Sequence, residues 1–224
     1  MKVKLVAYTP EPEKTVALAA RMCYSNRGVD NLADALTPAE VERMVRMLTQ
    51  VGHLSPIEHV SFTFAVEGIS RACSHQLVRH RIASYSQKSQ RYVDETSFEY
   101  IVPPSIANNP EAREVSTRVI DTIRESYSQL ARMVPREDAR YILPNATETK
   151  IILSFNARSL YNFFSQRLCL RAQWEIREMA QLMLTEVMKV APLLFSKAGP
   201  SCEVEGICWE GKMSCGRCED IRER

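Results

Sequence analysis

Val60-Ser61-Phe62-Thr63-Phe64-Ala65-Val66, then Ser70, then Arg79-His80-Arg81-Ile82-Ala83-Ser84-Tyr85-Ser86-Gln87-Lys88-Ser89-Gln90-Arg91 is the stretch on which the fold turns. Its first seven residues alternate, which predicts a strand with one face in a core. Ser70 is a good N-cap and opens a predicted short helix to about Arg81. Residues 82–91 are polar and predict a loop. Strand-like segments follow near 92–102, closed by Pro103-Pro104.

Upstream, residues 2–9 predict a strand broken by Pro10 and Pro12, and residues 13–24 a first helix. Thr37-Pro38-Ala39-Glu40 is a capping box with proline at the first helical position. Val41, Met44, Val45, Leu48 and Val51 follow at helical spacing, and Gly52 ends that helix. Downstream, Asn109-Pro110-Glu111 opens a long amphipathic helix to about Val134. A shorter helix from Pro135 is stopped by Pro144. Thr149 to Phe155 predicts a strand, and Asn156 caps a helical run that continues almost to Phe195 with a break. The order is mixed α+β, with helices dominating the second half. No repeat is visible.

The chain has 224 residues, 45% hydrophobic and 25% charged, enough for a real core and inconsistent with a mainly disordered chain. One domain with elaborations is expected. The net charge of +2 is too balanced to predict nucleic-acid binding. No signal peptide or apolar span of membrane length is visible, so a cytoplasmic protein is expected. The seven cysteines then read as thiols or metal ligands before disulfides. None of the seven glycines lies between Gly68 and Gly199, which excludes a Gly-rich dinucleotide fingerprint or P-loop there. Arginines outnumber lysines 21 to 8. Arginine's flat fork suits phosphates and pyrimidine edges, although a surface preference on helices explains the count equally well.

Three groups of residues could carry chemistry. His53, His59, His75 and His80 all fall within 28 residues, but without metalloprotease spacing. They read either as structural histidines or as one shared site. The segment 79–91 packs three arginines, a lysine, a histidine, three serines and two glutamines into 13 residues. With Gln76 one turn earlier, it is either a solvated loop or a phosphate grip without glycines. On the helix after Asn156, the polar Arg158, Asn162, Arg167 and Arg171 are threaded among Leu160, Phe163, Phe164, Leu168 and Leu170. They point to solvent or line a pocket; burial statistics favour solvent.

Arg79-His80-Arg81, seven residues, then Ser89 resembles the RHR-x7-S signature of the flavin-dependent thymidylate synthases. The likeness continues through Ser84, Gln90-Arg91-Tyr92, Pro144, Asn156-Ala157-Arg158-Ser159-Leu160 and Ala172-Gln173-Trp174-Glu175-Ile176, over most of residues 1–198. This resemblance implies a mixed α/β, non-Rossmann flavin-binding protomer with a central sheet and long helices, assembled as a homotetramer with shared active sites. It implies synthesis of dTMP from dUMP, with 5,10-methylenetetrahydrofolate as carbon donor, FAD as cofactor and NADPH as reductant. It implies FAD contacts at Ser55, Arg79, His80, Arg81, Asn156, Ala157, Arg158 and Asn162. It implies dUMP contacts at Gln76, Leu77, Val78, Arg79, Gln87, Lys88, Ser89, Gln90, Arg91, Arg140 and Arg167, with Arg167 the catalytic cation at the pyrimidine edge.

The residue types fit that chemistry. Ser89, Arg91 and Arg140 suit a phosphate dianion, and Arg79, His80 and Arg81 a pyrophosphate. A cation beside N3 and O4 of uracil raises electron density at C5. No cysteine nucleophile is needed, and Cys23, Cys73 and Cys169 lack the surroundings of one. Position 87 is Gln where some members carry Glu, and position 171 is Arg where some carry His.

The expected organisation is a single catalytic domain over 1–198 and a Cys/Gly-rich tail over 199–224. In the tail, Cys202, Cys208, Cys215 and Cys218 have spacings off the usual zinc pattern. A metal site is set there against a reduced, loosely ordered tail, and no metal ligand is assigned. Two other functions fit less well: a hydroxymethylase on the same scaffold, and an RNA-binding protein using the Arg/Ser segment. Neither a nucleic-acid nor a membrane partner is expected.

Overall fold

The computed structural model describes residues 1–26, 28 and 36–217. Its principal elements are β1 (Lys2–Tyr8), α1 (Pro12–Cys23), α2 (Pro38–Val51), β2 (Ser61–Ser70), α3 (Arg71–Leu77), β3 (Ala83–Gln87), α4 (Pro110–Met133), β4 (Glu148–Asn156), α5 (Ala157–Arg167) and α6 (Trp174–Met188). The four strands form one sheet in the order β1-β2-β4-β3. Its neighbours run antiparallel. Thr9 N–H meets Ser61 O at 3.0 Å while Lys2 pairs with Glu67. Thr63 and Ser154 share a 2.8 Å hydroxyl bond, while Gly68 N–H reaches Glu148 at 2.9 Å. Lys88 N–H bonds Lys150 O at 2.9 Å, and the Tyr85 ring stands edge-on to Phe155.

Local chemistry explains the element starts. Thr37 and Glu40 close both halves of the capping box. Ser70 accepts the Cys73 N–H at 3.0 Å, Asn109 that of Ala112 at 3.1 Å, and Asn156 that of Ser159 at 2.8 Å. Gln173 accepts the Glu175 and Ile176 amides and restarts the helix after the break at residues 168–173. Gly52 ends α2 at φ 70. At Gly68, φ is 75 and a Cβ would meet the Met1 backbone at 3.2 Å.

The chain divides into two compact units, Met1–Lys2, Val66–Arg79 and Ser86–Ile152, and Val3–Ala65, His80–Tyr85 and Leu153–Arg224. The first buries Ile69, Leu77, Phe98, Ile120, Tyr127 and Ile151. The second has the larger aromatic core: Phe62, Phe155, Phe163, Phe164 and Phe195 meet edge-on or tilted at 5.3 to 6.0 Å. No helix among the described residues is long and apolar enough to cross a membrane.

Three sequence expectations are corrected. The helix after Ser70 ends at Leu77, not near Arg81, and Arg79–Arg81 lie beyond it. Residues 83–87 are a strand rather than a loop. Small polar Ser84 and Ser86 hid the alternation, because ladder hydrogen bonds rather than apolar burial hold this strand. The segment 92–102 is not strand but turns, tightened where Thr96 N–H bonds the Asp94 carboxylate at 2.8 Å, with one isolated bridge between Tyr100 and Thr147.

Candidate active site

In the second unit, α5 delivers the most specific polar contact. The Arg167 Nε–H donates to His80 Nε2 at 3.0 Å. His80 is buried, and its ring stands edge-on against Phe163 at 5.0 Å. Phe163 precedes Arg167 by four residues, so one helix face presents both the ring and the guanidinium. The Tyr85 hydroxyl donates to His80 O at 2.7 Å and fixes the backbone there. Burial, and then the Arg167 charge, push the imidazole down from 6.5 to about 4. Burial also raises the Tyr85 phenol to about 12. Arg167 opens on a cavity of about 530 Å³ that Cys169, Arg171, Cys202, Cys208 and Trp209 also line.

The depressed His80 pKa makes stability pH-dependent. Between pH 6.5 and about 4 the unfolded chain takes up a proton that the folded chain refuses. Stability on this group's account therefore falls as pH drops through that window and levels off below it. Urea midpoints at about pH 7 and about pH 5 should diverge more for the wild type than for His80→Leu. Equal divergence would show that His80 does not titrate this way.

The other flavin-side expectations fall in the same unit, except Arg79. Ser55 shares a 3.0 Å hydrogen bond with His53 Nε2, and His53 Nδ1 a second with the Tyr24 hydroxyl. Arg158 is exposed and forms an ion pair with Glu58. Asn162 is exposed and accepts from Gln166 at 3.1 Å. Asn156 uses its side-chain oxygen as the cap, which leaves its NH₂ as the donor toward a ligand. Ala157 is buried and gives its N–H to Val60 O at 2.9 Å. Arg81 is exposed.

The first unit holds the remaining substrate-side residues. Arg91 binds Glu137 at 2.6 and 2.8 Å, and Arg140 Nε donates to Glu137 O at 3.1 Å, so Glu137 gathers both arginines. The Arg91–Glu137 pair is solvent-exposed, so a phosphate would displace that carboxylate at small cost. Ser89 accepts the Arg91 N–H at 3.2 Å. Gln87 donates to Ser74 and Thr149 hydroxyls at 2.9 and 3.1 Å. Lys88 is held by Glu95 at 3.1 Å and Glu148 at 3.6 Å. Gln90 is buried, and its Nε2 has no hydrogen-bond partner among the described residues. Leu77 is core, whereas Val78 and Arg79 are exposed and Gln76 lies on α3 half-buried.

Arg71 was not singled out from the sequence. Its guanidinium donates to Lys88 O at 3.4 Å. Burial lowers its pKa, the charge of Arg140 lowers it further, and Glu95 opposes both. Two cations thus share one neighbourhood, the arrangement that suits an anion. The available signal was its position: Arg71 opens α3, where the helix dipole disfavours a cation.

In the tail, Cys202 and Cys208 line the Arg167 cavity and Cys215 is exposed, while Cys218 lies outside the described residues. Among the described residues, no three His, Cys, Asp or Glu side chains group as a metal site.

Residues 4–193 match the family model described as thymidylate synthase complementing protein. The chain is 50% identical to the flavin-dependent thymidylate synthase of Clostridium tetani, over 100% of this chain and 96% of that one. It is 49% identical to that of Geobacter sulfurreducens, over 99% and 97%. The crystal structure of the flavin-dependent thymidylate synthase from Helicobacter pylori, complexed with FAD and dUMP, superposes with a TM-score of 0.71 at 25% identity, over 89% of this chain and 100% of that one. The fold and these matches define an enzyme of thymidylate synthesis. More particularly, the chain belongs to the flavin-dependent thymidylate synthase family.

Proposed function

We propose that this chain converts dUMP to dTMP, with methylenetetrahydrofolate as one-carbon donor, FAD as cofactor, NADPH as reductant and no cysteine nucleophile. The observation that carries the reading is Arg167, a cation that lines a cavity and is held by a buried neutral histidine. The donor set suits FAD. Arg79 and Arg81 are exposed, and Asn156 keeps its NH₂ for a ligand. Guanidinium forks can hold a pyrophosphate where no glycine cradle exists. Arg79, His80, Arg81, Ser55, Asn156, Ala157, Arg158 and Asn162 would hold the flavin, which when bound supplies the reducing equivalents.

This chain's residues do the rest. Arg91, Arg140 and Ser89 bind the dUMP phosphate, with Arg71 adding charge. Gln76, Gln87 and Gln90 hydrogen-bond the nucleotide, and Leu77, Val78, Arg79 and Lys88 border it. Gln90, buried with an amide nitrogen unpartnered among the described residues, gains an acceptor when the nucleotide binds. Arg167 stabilises negative charge on the N3–O4 edge and so makes C5 a better nucleophile toward the methylene carbon. Cys73 is buried, which removes it as an attacking thiolate.

The working form is a homotetramer in the cytoplasm, each subunit carrying a 1–198 catalytic domain and the tail. The assembly is the one the family resemblance implies, with active sites shared between subunits. The test is an assay of the FAD-loaded protein with dUMP, methylenetetrahydrofolate and NADPH, run beside light scattering. dTMP from a tetramer is the expected result. A folded, yellow protein that forms no dTMP would overturn the reaction, and an active monomer would overturn the assembly.

A further inference from the structure

We propose that His80 is a positioning residue for Arg167: its neutral imidazole accepts the Nε–H and aims the guanidinium at the pyrimidine. This rests on the reading of Arg167 given above. A guanidinium can only donate, so His80 Nε2 must offer a lone pair and the ring proton sits on Nδ1. Protonating His80 would set two cations 3.0 Å apart in a buried setting. The bond occupies Nε, so a planar substrate edge can be met only by the terminal pair, Nη1 and Nη2. That turns the guanidinium end-on to its target.

The support is itself supported. The imidazole is 8% exposed and packed on Phe163, and its backbone carbonyl is held by Tyr85. A ring packed on Phe163 and anchored through its backbone can fix the longer, floppier arginine, whose side chain otherwise carries about 2 kcal/mol of rotamer entropy. The same geometry limits what His80 does for the flavin. With Nε2 engaged, it can meet a cofactor only through Nδ1–H or its backbone.

The experiment compares His80→Leu, His80→Gln and Arg167→Ala, and the double variant His80→Leu/Arg167→Ala, as FAD-loaded enzymes. H80L removes the acceptor and should lower kcat on the order of 10–10²-fold, as misplacement of a reacting group by about 1 Å does, with dUMP KM little changed. H80Q carries an acceptor oxygen near the Nε2 position and should recover most of that loss. In the R167A background, H80L should cost nothing further, because its effect runs through Arg167. Additive effects of H80L and R167A, or a turnover loss in H80L that follows its loss of bound FAD and is not recovered in H80Q, would show instead that His80 acts through the flavin alone and does not position Arg167. An R167A enzyme with near-full turnover overturns the reading of Arg167 itself, and with it this role. If H80L does not fold, nitrogen NMR of the wild type decides. An Nε2 lone pair whose signal shifts in R167A supports the pairing, and a proton on Nε2 refutes it.

Discussion

Arg167→Ala should lower dUMP turnover by about 10²–10³, the usual loss when one preorganised donor to a developing negative charge is removed. Its effect should fall on kcat more than on dUMP KM, because the pyrimidine becomes anionic only along the reaction path. FAD content should change little, since no flavin contact is assigned to this side chain. Arg167→Lys should rescue only in part. An ammonium is a point charge whose three N–H bonds diverge from one nitrogen, so it cannot reproduce the planar fork that meets substrate while Nε donates to His80. Loss of the partner should also let the buried imidazole rise from about 4, since one of its two depressing influences is then gone. Single-turnover rates together with a histidine titration check both consequences. An alanine variant with nearly wild-type turnover would mark Arg167 as a structural residue of α5.

What the sequence disclosed depended on the range of each interaction. The caps at Thr37, Ser70, Asn109 and Asn156 were legible because a side chain three residues from its amide partner carries its own instruction. The strands β2 and β4 were legible because their apolar faces alternate. β3 was not, since nothing apolar marks a strand built on Ser84 and Ser86. The resemblance gathered the site residues by type, but it could not say which of them touch. Arg167 and His80 are 87 positions apart, and only the folded chain joins them. Arg71 illustrates the same gap: it stands in no quoted motif, and its proximity to Arg140 emerges only when the chain between them has folded.

Lys88 is where a ligand residue and a structural residue are hardest to tell apart from sequence, and where the second large effect is expected. It falls in the segment whose resemblance implies a dUMP contact. In the structure its ammonium lies between Glu95 and Glu148, at 3.1 and 3.6 Å. Glu95 is 2% exposed. Glu148 has a second commitment, accepting the Gly68 N–H at 2.9 Å. Lys88→Met keeps the length and apolar stem of the side chain and removes only the charge. That strands a buried carboxylate, and taking one partner from such a pair costs about 3–5 kcal/mol. The expected result is a large drop in the denaturation midpoint with dUMP KM nearly unchanged, since the Lys88 N–H is also committed, to Lys150 O. Adding Glu95→Gln should recover much of the loss, because the stranded charge is then gone; Glu95→Gln alone should cost less than Lys88→Met, since a neutral amide can still accept from the ammonium. A folded Lys88→Met enzyme with unchanged stability and a raised dUMP KM would reverse the assignment: the ammonium would then serve the nucleotide, and Glu95 would be satisfied by other means.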